Sequence, residues 1–164
     1  MNKLENIGIQ GSLLLWIKNY LTDRKQRVVT ESAHSKWRAI KAGVPQGYIL
    51  GPLSFIIFIN DIVTEIHSSI KLVADDTSLH VIVHNPRESA ITLNNDMATI
   101  HAWSTKWLVN FNLQKTETMT ITRKIKKSFH PPLILNNTII NQVTEHKHLG
   151  LEISNDGSWQ NILI

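Results

Sequence analysis

Two adjacent carboxylates, Asp75 and Asp76, are the residues of this 164-residue chain best suited to chemistry. They follow the apolar lead-in Leu72-Val73-Ala74 and precede the run from Thr77 to Val83, so an acidic dipeptide separates two β-rich segments. Side by side on a tight turn, two carboxylates repel each other unless a cation neutralises them. Mg2+ suits the position, because it takes hard oxygen ligands and is held by one or two carboxylates plus substrate phosphates. Taken alone, the dipeptide reads as readily as a water-screened, Asp-rich turn. A second segment, Gly43-Val44-Pro45-Gln46-Gly47-Tyr48-Ile49-Leu50-Gly51-Pro52-Leu53, is a glycine-flanked loop feeding a buried helix. Such a loop lets backbone approach a ligand, and the Gln46 amide both donates and accepts hydrogen bonds. By itself it is equally an ordinary strand-to-helix turn.

Other signals are weaker. Arg24, Lys25 and Arg27, and again Arg123, Lys124, Lys126 and Lys127, are placed to meet phosphates or to lie in water as charge runs. Of eight histidines, His146 and His148 share a strand face, and His80 and His84 sit on the second strand of the acidic hairpin. Neither pair has a third ligand at zinc spacing, which favours surface or packing roles. The absence of cysteine excludes a disulfide scaffold and a thiolate zinc site. Among five tryptophans, Trp16 and Trp107 lie on apolar helix faces and read as core, while Trp37, Trp103 and Trp159 are open to packing or to base stacking.

The elements that must position these groups alternate between helices and hairpins. Ser12 caps a helix running to Leu21, with Leu13, Trp16, Ile17, Tyr20 and Leu21 on one face. Gln26 to Glu31 and Lys36 to Ala42 form a hairpin, and an all-round apolar helix spans about Leu53 to Ile66. Lys71 to Ala74 and Thr77 to Val83 pair with the carboxylates at their tip. Asn85 caps a long helix, with Pro86 in its first turn and Glu88 reaching back, and Ala90, Leu93, Met97, Ile100, Ser104 and Trp107 mark its buried face. Thr116 to Thr122 alternates like a strand. Leu133 to Leu135 and Thr138 to Val143 flank a tight turn at Asn136-Asn137, and Lys147 to Ile153 is a final strand. The pattern is α+β with antiparallel hairpins.

Composition bounds the rest. At 42% apolar the chain is too hydrophobic for a disordered polymer, and at 18% charged it falls below the roughly 25% usual for soluble domains. The longest apolar stretch, Ile49 to Ile59, carries Gly51 and Pro52 and is too short to span a membrane. With no apolar signal core near Met1, the expected location is intracellular, in the nucleus, the cytoplasm or both. Net charge is +4, with seven basic and three acidic residues in 1–40 but four basic and six acidic in 41–110. Basic flanks around an acidic centre suit a polyanion-binding surface built round a cation site.

Order and spacing carry more than either motif alone. Gly43 to Pro52, then Ile59-Asn60-Asp61, then Val73-Ala74-Asp75-Asp76 resemble the reverse transcriptase of retrotransposons lacking long terminal repeats, the LINE or jockey-like class. That family reads Gly-Val-Pro-Gln-Gly-Ser-Val-Leu-Gly-Pro, a helix ending Ile-Asn-Asp, and Phe-Ala-Asp-Asp. The resemblance runs on through Trp103-Ser104-x-x-Trp107, Asn110-Phe111-Asn112-x-x-Lys115-Thr116 and His148-Leu149-Gly150, and back to Trp16-Ile17-x-x-Tyr20-Leu21-x-x-Arg24-x-Gln26-x-Val28.

The resemblance implies a partial polymerase palm over residues 1–154, a ferredoxin-like antiparallel sheet with packed helices, followed by a tail over 155–164. It implies that Asp75 and Asp76 hold metal, with two Mg2+ ions, or Mn2+, in the whole enzyme. By the same likeness Pro45, Gln46 and Gly47 contact nucleotide and template, Lys115 protonates the leaving pyrophosphate, and Leu149 and Gly150 support the primer. Arg24, Lys25, Arg27, Arg123 and Lys124 would meet nucleic-acid phosphates. RNA template, DNA primer and deoxynucleotide triphosphates are the implied partners. Val73 stands where the family has an aromatic, Tyr48 where it has Ser and His148 where it has Tyr. The family's other metal-binding Asp, in a Phe-Asp-x-Val-like strand, has no match at Asp23 or Asp61, and its place would lie upstream of Met1. Fingers and thumb segments have no counterpart either. The expectation is therefore a weakly stable segment, inactive alone. Two alternatives are a non-catalytic module that grips nucleic acid or a partner, and a relic without a role.

Overall fold

The computed structural model describes residues 1–40, 43, 47, 49–125 and 128–158, which fall into two units, Met1–Asp61 and Ile62–Ile164. The first unit holds α1 (Asn2–Asn6), α2 (Gly11–Leu21), the antiparallel pair β1 (Lys25–Gln26) and β2 (Arg38–Ala39), and α3 (Leu50–Ile59). A 3-10 turn, Asn60–Val63, continues α3. Helix α2 starts at Gly11, whose φ of +63° suits a residue without Cβ, and it has no side-chain cap, so Ser12 lies inside the helix. None of its residues is buried, which corrects the core reading of Trp16: its ring is 53% exposed and stacks on Tyr20 with centroids 5.7 Å apart. The expected apolar helix ends earlier than Ile66, and only Gly51 and Ile59 of α3 are buried, with Leu53 and Ile56 exposed. Lys3 docks α1 on the end of α3. Its ammonium donates to the Phe58 carbonyl and to Asp61, and lies 4.5 Å from the Phe58 ring centroid. Asp61 is thus engaged in an ion pair within its own unit.

The second unit is built on α4 (Pro86–Trp107). Asn85 caps it as expected, accepting from the Arg87 N–H at 3.0 Å, with Pro86 in the first turn. Glu88 reaches back, but to the Asn85 side-chain amide. Ala90, Met97, Ile100 and Ser104 are buried as the periodicity predicts, and Leu93 and Trp107 are half-buried. Ala90 and Met97 pack with Leu133, Leu135 and Ile140, joined by Leu79, Leu93 and Leu113.

Strands of this unit pair two by two: β3 (Ser69–Val73) with β4 (Asp76–His80), β5 (Glu117–Thr118) with β8 (Asn141–Gln142), β6 (Ile134–Leu135) with β7 (Thr138–Ile139), and β9 (Glu145–His148) with β10 (Leu151–Ser154). The Asn136-Asn137 turn is as expected, with φ of +49° and +59° at its two central residues, which Asn tolerates. Several strand expectations change, and the expected run Thr138 to Val143 is split at Ile140 into β7 and β8, which pair with different strands. Thr116 to Thr122 pairs only over β5, and that pairing with β8 is parallel. Strand β4 stops at His80, so His84 lies beyond it. Lys147 to Ile153 is no single strand, because Leu149 and Gly150, at φ of +50° and +85°, turn the chain back and pair Leu151 with His148. No helix among the described residues is long and apolar enough to cross a membrane.

Candidate functional site

The β3–β4 hairpin positions the acidic pair. Ile70 and Leu72 are half-buried while Ser69, Lys71 and Val73 are exposed, so one face of β3 packs and the other is open. Register Val73↔Asp76 leaves a two-residue turn made of Ala74 and Asp75, and Asp76 is the first residue of β4. The tip is therefore Ala74-Asp75, one residue earlier than the expected Asp75-Asp76. Ala74 adopts φ +52°, a left-handed conformation that costs an L-residue about 1–2 kcal/mol. Strain of this kind persists where the surrounding structure imposes it, and it gathers at functional turns. Both carboxylates are exposed, and no described side chain forms an ion pair with either. Two adjacent, hard-oxygen donors without a basic partner among the described residues fit a magnesium ligand set, as one part of it. No group of three metal-ligating side chains occurs among the described residues.

Pro45 and Gln46 lie outside the described residues, as do Lys126, Lys127 and Trp159. Gly47 and Gly43 are exposed with φ of +81° and +80°, and nothing within 4 Å would obstruct a Cβ, so backbone conformation alone calls for glycine there. Arg24 turns its guanidinium to main-chain carbonyls, Leu21 at 3.1 Å and Gly43, tying the end of α2 to the glycine loop. Lys25 is exposed, and the Arg27 guanidinium lies 4.7 Å from the centroid of the Trp37 ring. Arg123 and Lys124 are both exposed.

Lys115 is exposed on a turn whose geometry is local. Its N–H reaches the Asn112 carbonyl at 3.1 Å, Gln114 N–H reaches Asn112 Oδ1, and the Thr116 hydroxyl also donates to the Asn112 carbonyl. Two residues on, Glu117 Oε2 contacts His146 Nδ1 at 2.8 Å. That contact ties the strand after Lys115 to the β9–β10 hairpin, whose exposed turn is Leu149-Gly150. His146 thus has a structural partner, and its ring lies 6.1 Å from that of His148.

Sequence reasoning missed Asp96. It lies on α4, three residues from Leu93 and four from Ile100, in phase with the apolar face, and it is 1% exposed. Its carboxylate accepts from the backbone N–H groups of His67 at 2.9 Å and Ser68 at 2.7 Å, with His67 Nδ1 at 3.2 Å. Burial pushes this carboxyl up, but the His67 and Ser68 hydrogen bonds together outweigh it and hold the pKa below the ordinary aspartate range. The bonded corner immediately precedes β3, so Asp96 clamps the chain just before the strand that leads to Asp75. A carboxylate in step with an apolar stripe was the available signal. Two open hollows of about 340 and 310 Å³ flank α4, sharing His101 and Asn136, and neither is lined by Asp75 or Asp76.

The family described as reverse transcriptase (RNA-dependent DNA polymerase) matches residues 1–153. The chain is 31% identical over 145 residues to a probable RNA-directed DNA polymerase from transposon BS of Drosophila melanogaster, covering 84% of this chain and 16% of that protein. It is 29% identical over 151 residues to the RNA-directed DNA polymerase from mobile element jockey of Drosophila funebris, covering 87% of this chain and 16% of that protein. A probable RNA-directed DNA polymerase from transposon X-element of Drosophila melanogaster is 26% identical over 140 residues, 82% of this chain and 15% of that protein. The chain thus spans about a sixth of the length of these relatives. No solved structure matches it.

Proposed function

The chain belongs to the reverse transcriptase (RNA-dependent DNA polymerase) family, with non-LTR transposon relatives, and from that premise we propose that it is part of a polymerase palm that copies RNA into DNA. The observation that carries the reading is the pair of exposed carboxylates, without a basic partner among the described residues, at the end of a strained two-residue turn. Asp75 and Asp76 would hold the divalent cation. That ion, when bound, supplies Lewis-acid stabilisation of the entering and leaving oxygens in phosphoryl transfer.

The chain's own residues do the positioning. The two-residue turn presents Asp75 at the tip and Asp76 at the strand start, where both are exposed and would meet an approaching triphosphate. Gln46, between two glycines that allow close approach, would hydrogen-bond nucleotide or template, with Pro45 and Gly47 shaping the loop. Lys115 would donate a proton to the departing pyrophosphate from its ammonium, and the Leu149-Gly150 turn would support the primer end. Arg123 and Lys124 would add phosphate contacts. RNA template, DNA primer and deoxynucleotide triphosphates are the partners this reading requires. A facing carboxylate would come from the rest of the longer polymerase.

The test is primer extension on an RNA template by a full-length polymerase carrying this segment. Asp75→Ala is expected to abolish the magnesium-dependent reaction while leaving template binding in place. Extension that survives the substitution would refute the assignment.

A further inference from the structure

The net charge of the whole chain resides in one hairpin. Residues 24–39 contain five basic side chains, Arg24, Lys25, Arg27, Lys36 and Arg38, and one acidic, Glu31, a net +4 that equals the +4 of all 164 residues. The ribbon is exposed on both faces from Lys25 to Ala39, and it carries Val28 at 68%, Val29 at 65% and Trp37 at 59% exposure. A two-stranded ribbon without a packed face is marginal by itself. Apolar and aromatic groups left in water on such a ribbon, among like charges, mark a surface that meets a partner.

Register decides which side chains act together. Lys25 pairs with Ala39 and Gln26 with Arg38, and the register shifts by one residue before the Val29–His34 bridge. Between the two pairings the Arg27 guanidinium lies 4.7 Å from the centroid of the Trp37 indole. Residues two apart along extended backbone lie on one side with their Cα atoms about 7 Å apart, which puts Lys25 beside Arg27 and the indole that Arg27 covers. Arg27 covers one side of the indole. A ring more than half exposed with one side covered presents its other side to solvent.

We propose that this face of the β1–β2 hairpin is a binding surface for single-stranded nucleic acid, on which a base stacks against Trp37 while Lys25 and Arg27 meet the flanking phosphates. The charge fits a polyanion, and the flat indole fits a base, which a duplex keeps inside its own stack. Arg27 both fixes the ring and supplies charge beside it. Arg24 has a different part, since its guanidinium is spent on the Leu21 and Gly43 carbonyls and anchors the hairpin's base. The inference rests on the polymerase reading only for the presence of single strands nearby. RNA and DNA share the chemistry described.

The test measures binding of the 164-residue chain to a labelled single-stranded RNA, the DNA of the same sequence, and the corresponding duplex, over a range of salt. Trp37→Leu is expected to weaken binding of single strands about five- to a hundred-fold and to change duplex binding less than about twofold, with Trp37→Phe restoring most of the loss. Lys25→Gln should reduce the salt slope by about 0.7 for single strands, a readout that does not depend on Trp37. A larger affinity for RNA assigns the surface to template, and a larger affinity for DNA assigns it to primer. Equal loss of duplex and single-strand binding in Trp37→Leu, no loss at all, or an unchanged salt slope in Lys25→Gln would overturn the proposal. Trp37-dependent binding by this chain, with no primer extension by the full-length polymerase that carries it, would keep this inference and remove the polymerase reading; the reverse result would do the opposite.

Discussion

Asp96→Asn isolates the clamp that precedes the acidic hairpin. The native carboxylate takes two main-chain N–H groups, at 2.9 and 2.7 Å, in a site 1% exposed. Hydrogen bonds to a charged acceptor contribute roughly 1.5–3 kcal/mol each, and a buried donor left unmatched costs about 1–3 kcal/mol. Asparagine keeps one oxygen and turns an NH2 toward the other donor. One bond is lost, the second becomes neutral, and an amide of His67 or Ser68 meets another donor. The expected loss is about 2–4 kcal/mol. In a unit of about 100 residues that lowers Tm by roughly 4–8 °C per kcal/mol. Urea titration and thermal melting followed by circular dichroism measure it, and hydrogen exchange should accelerate at the His67 and Ser68 amides. Acid supplies a second arm. The Asp96 pKa is lowered in the folded chain, so its contribution is complete above the ordinary unfolded aspartate value, about 3.9, and is lost as pH falls from there through the folded value. The variant has no carboxyl to titrate, so the gap between wild type and variant should narrow across that window. A loss under about 0.5 kcal/mol at neutral pH, or a gap that stays constant into strong acid, would refute the reasoning.

Leu108 ends α4 at φ +57° with its side chain 89% exposed, so Leu108→Gly should relieve left-handed strain at little cost in burial and raise stability by about 0.5–1 kcal/mol, read as an increase in Tm. Asn85→Ala removes the oxygen that accepts from Arg87 N–H and should cost about 1 kcal/mol by the same melting assay, whereas Asn85→Asp keeps the acceptor and should stay near wild type.

Local patterns were readable where one short stretch controls its own geometry. Asn85 and Pro86 start α4, the 3.6-residue period marks Ala90, Met97, Ile100 and Ser104 as buried, and Asn136-Asn137 bends the chain because Asn tolerates positive φ. The order of the glycine loop, the Ile-Asn-Asp segment and the Ala-Asp-Asp segment identified the family before any fold was known, since order and spacing are properties of the chain itself.

What the sequence left undetermined depends on partners distant along the chain. Apolar periodicity in α2 states which residues share a face but not whether anything covers it, and Trp16 stays exposed. Ala74 and Leu149 adopt left-handed φ that their residue types disfavour, so only strand pairing on either side reveals those turns, and with them the shift of the acidic tip by one residue. The parallel pairing of Glu117-Thr118 with Asn141-Gln142 and the burial of Asp96 beneath the His67-Ser68 corner join segments more than 20 residues apart. No local propensity encodes such contacts. The tertiary structure decides them because a buried charge and an unpaired backbone group each find their partner only when the chain closes on itself.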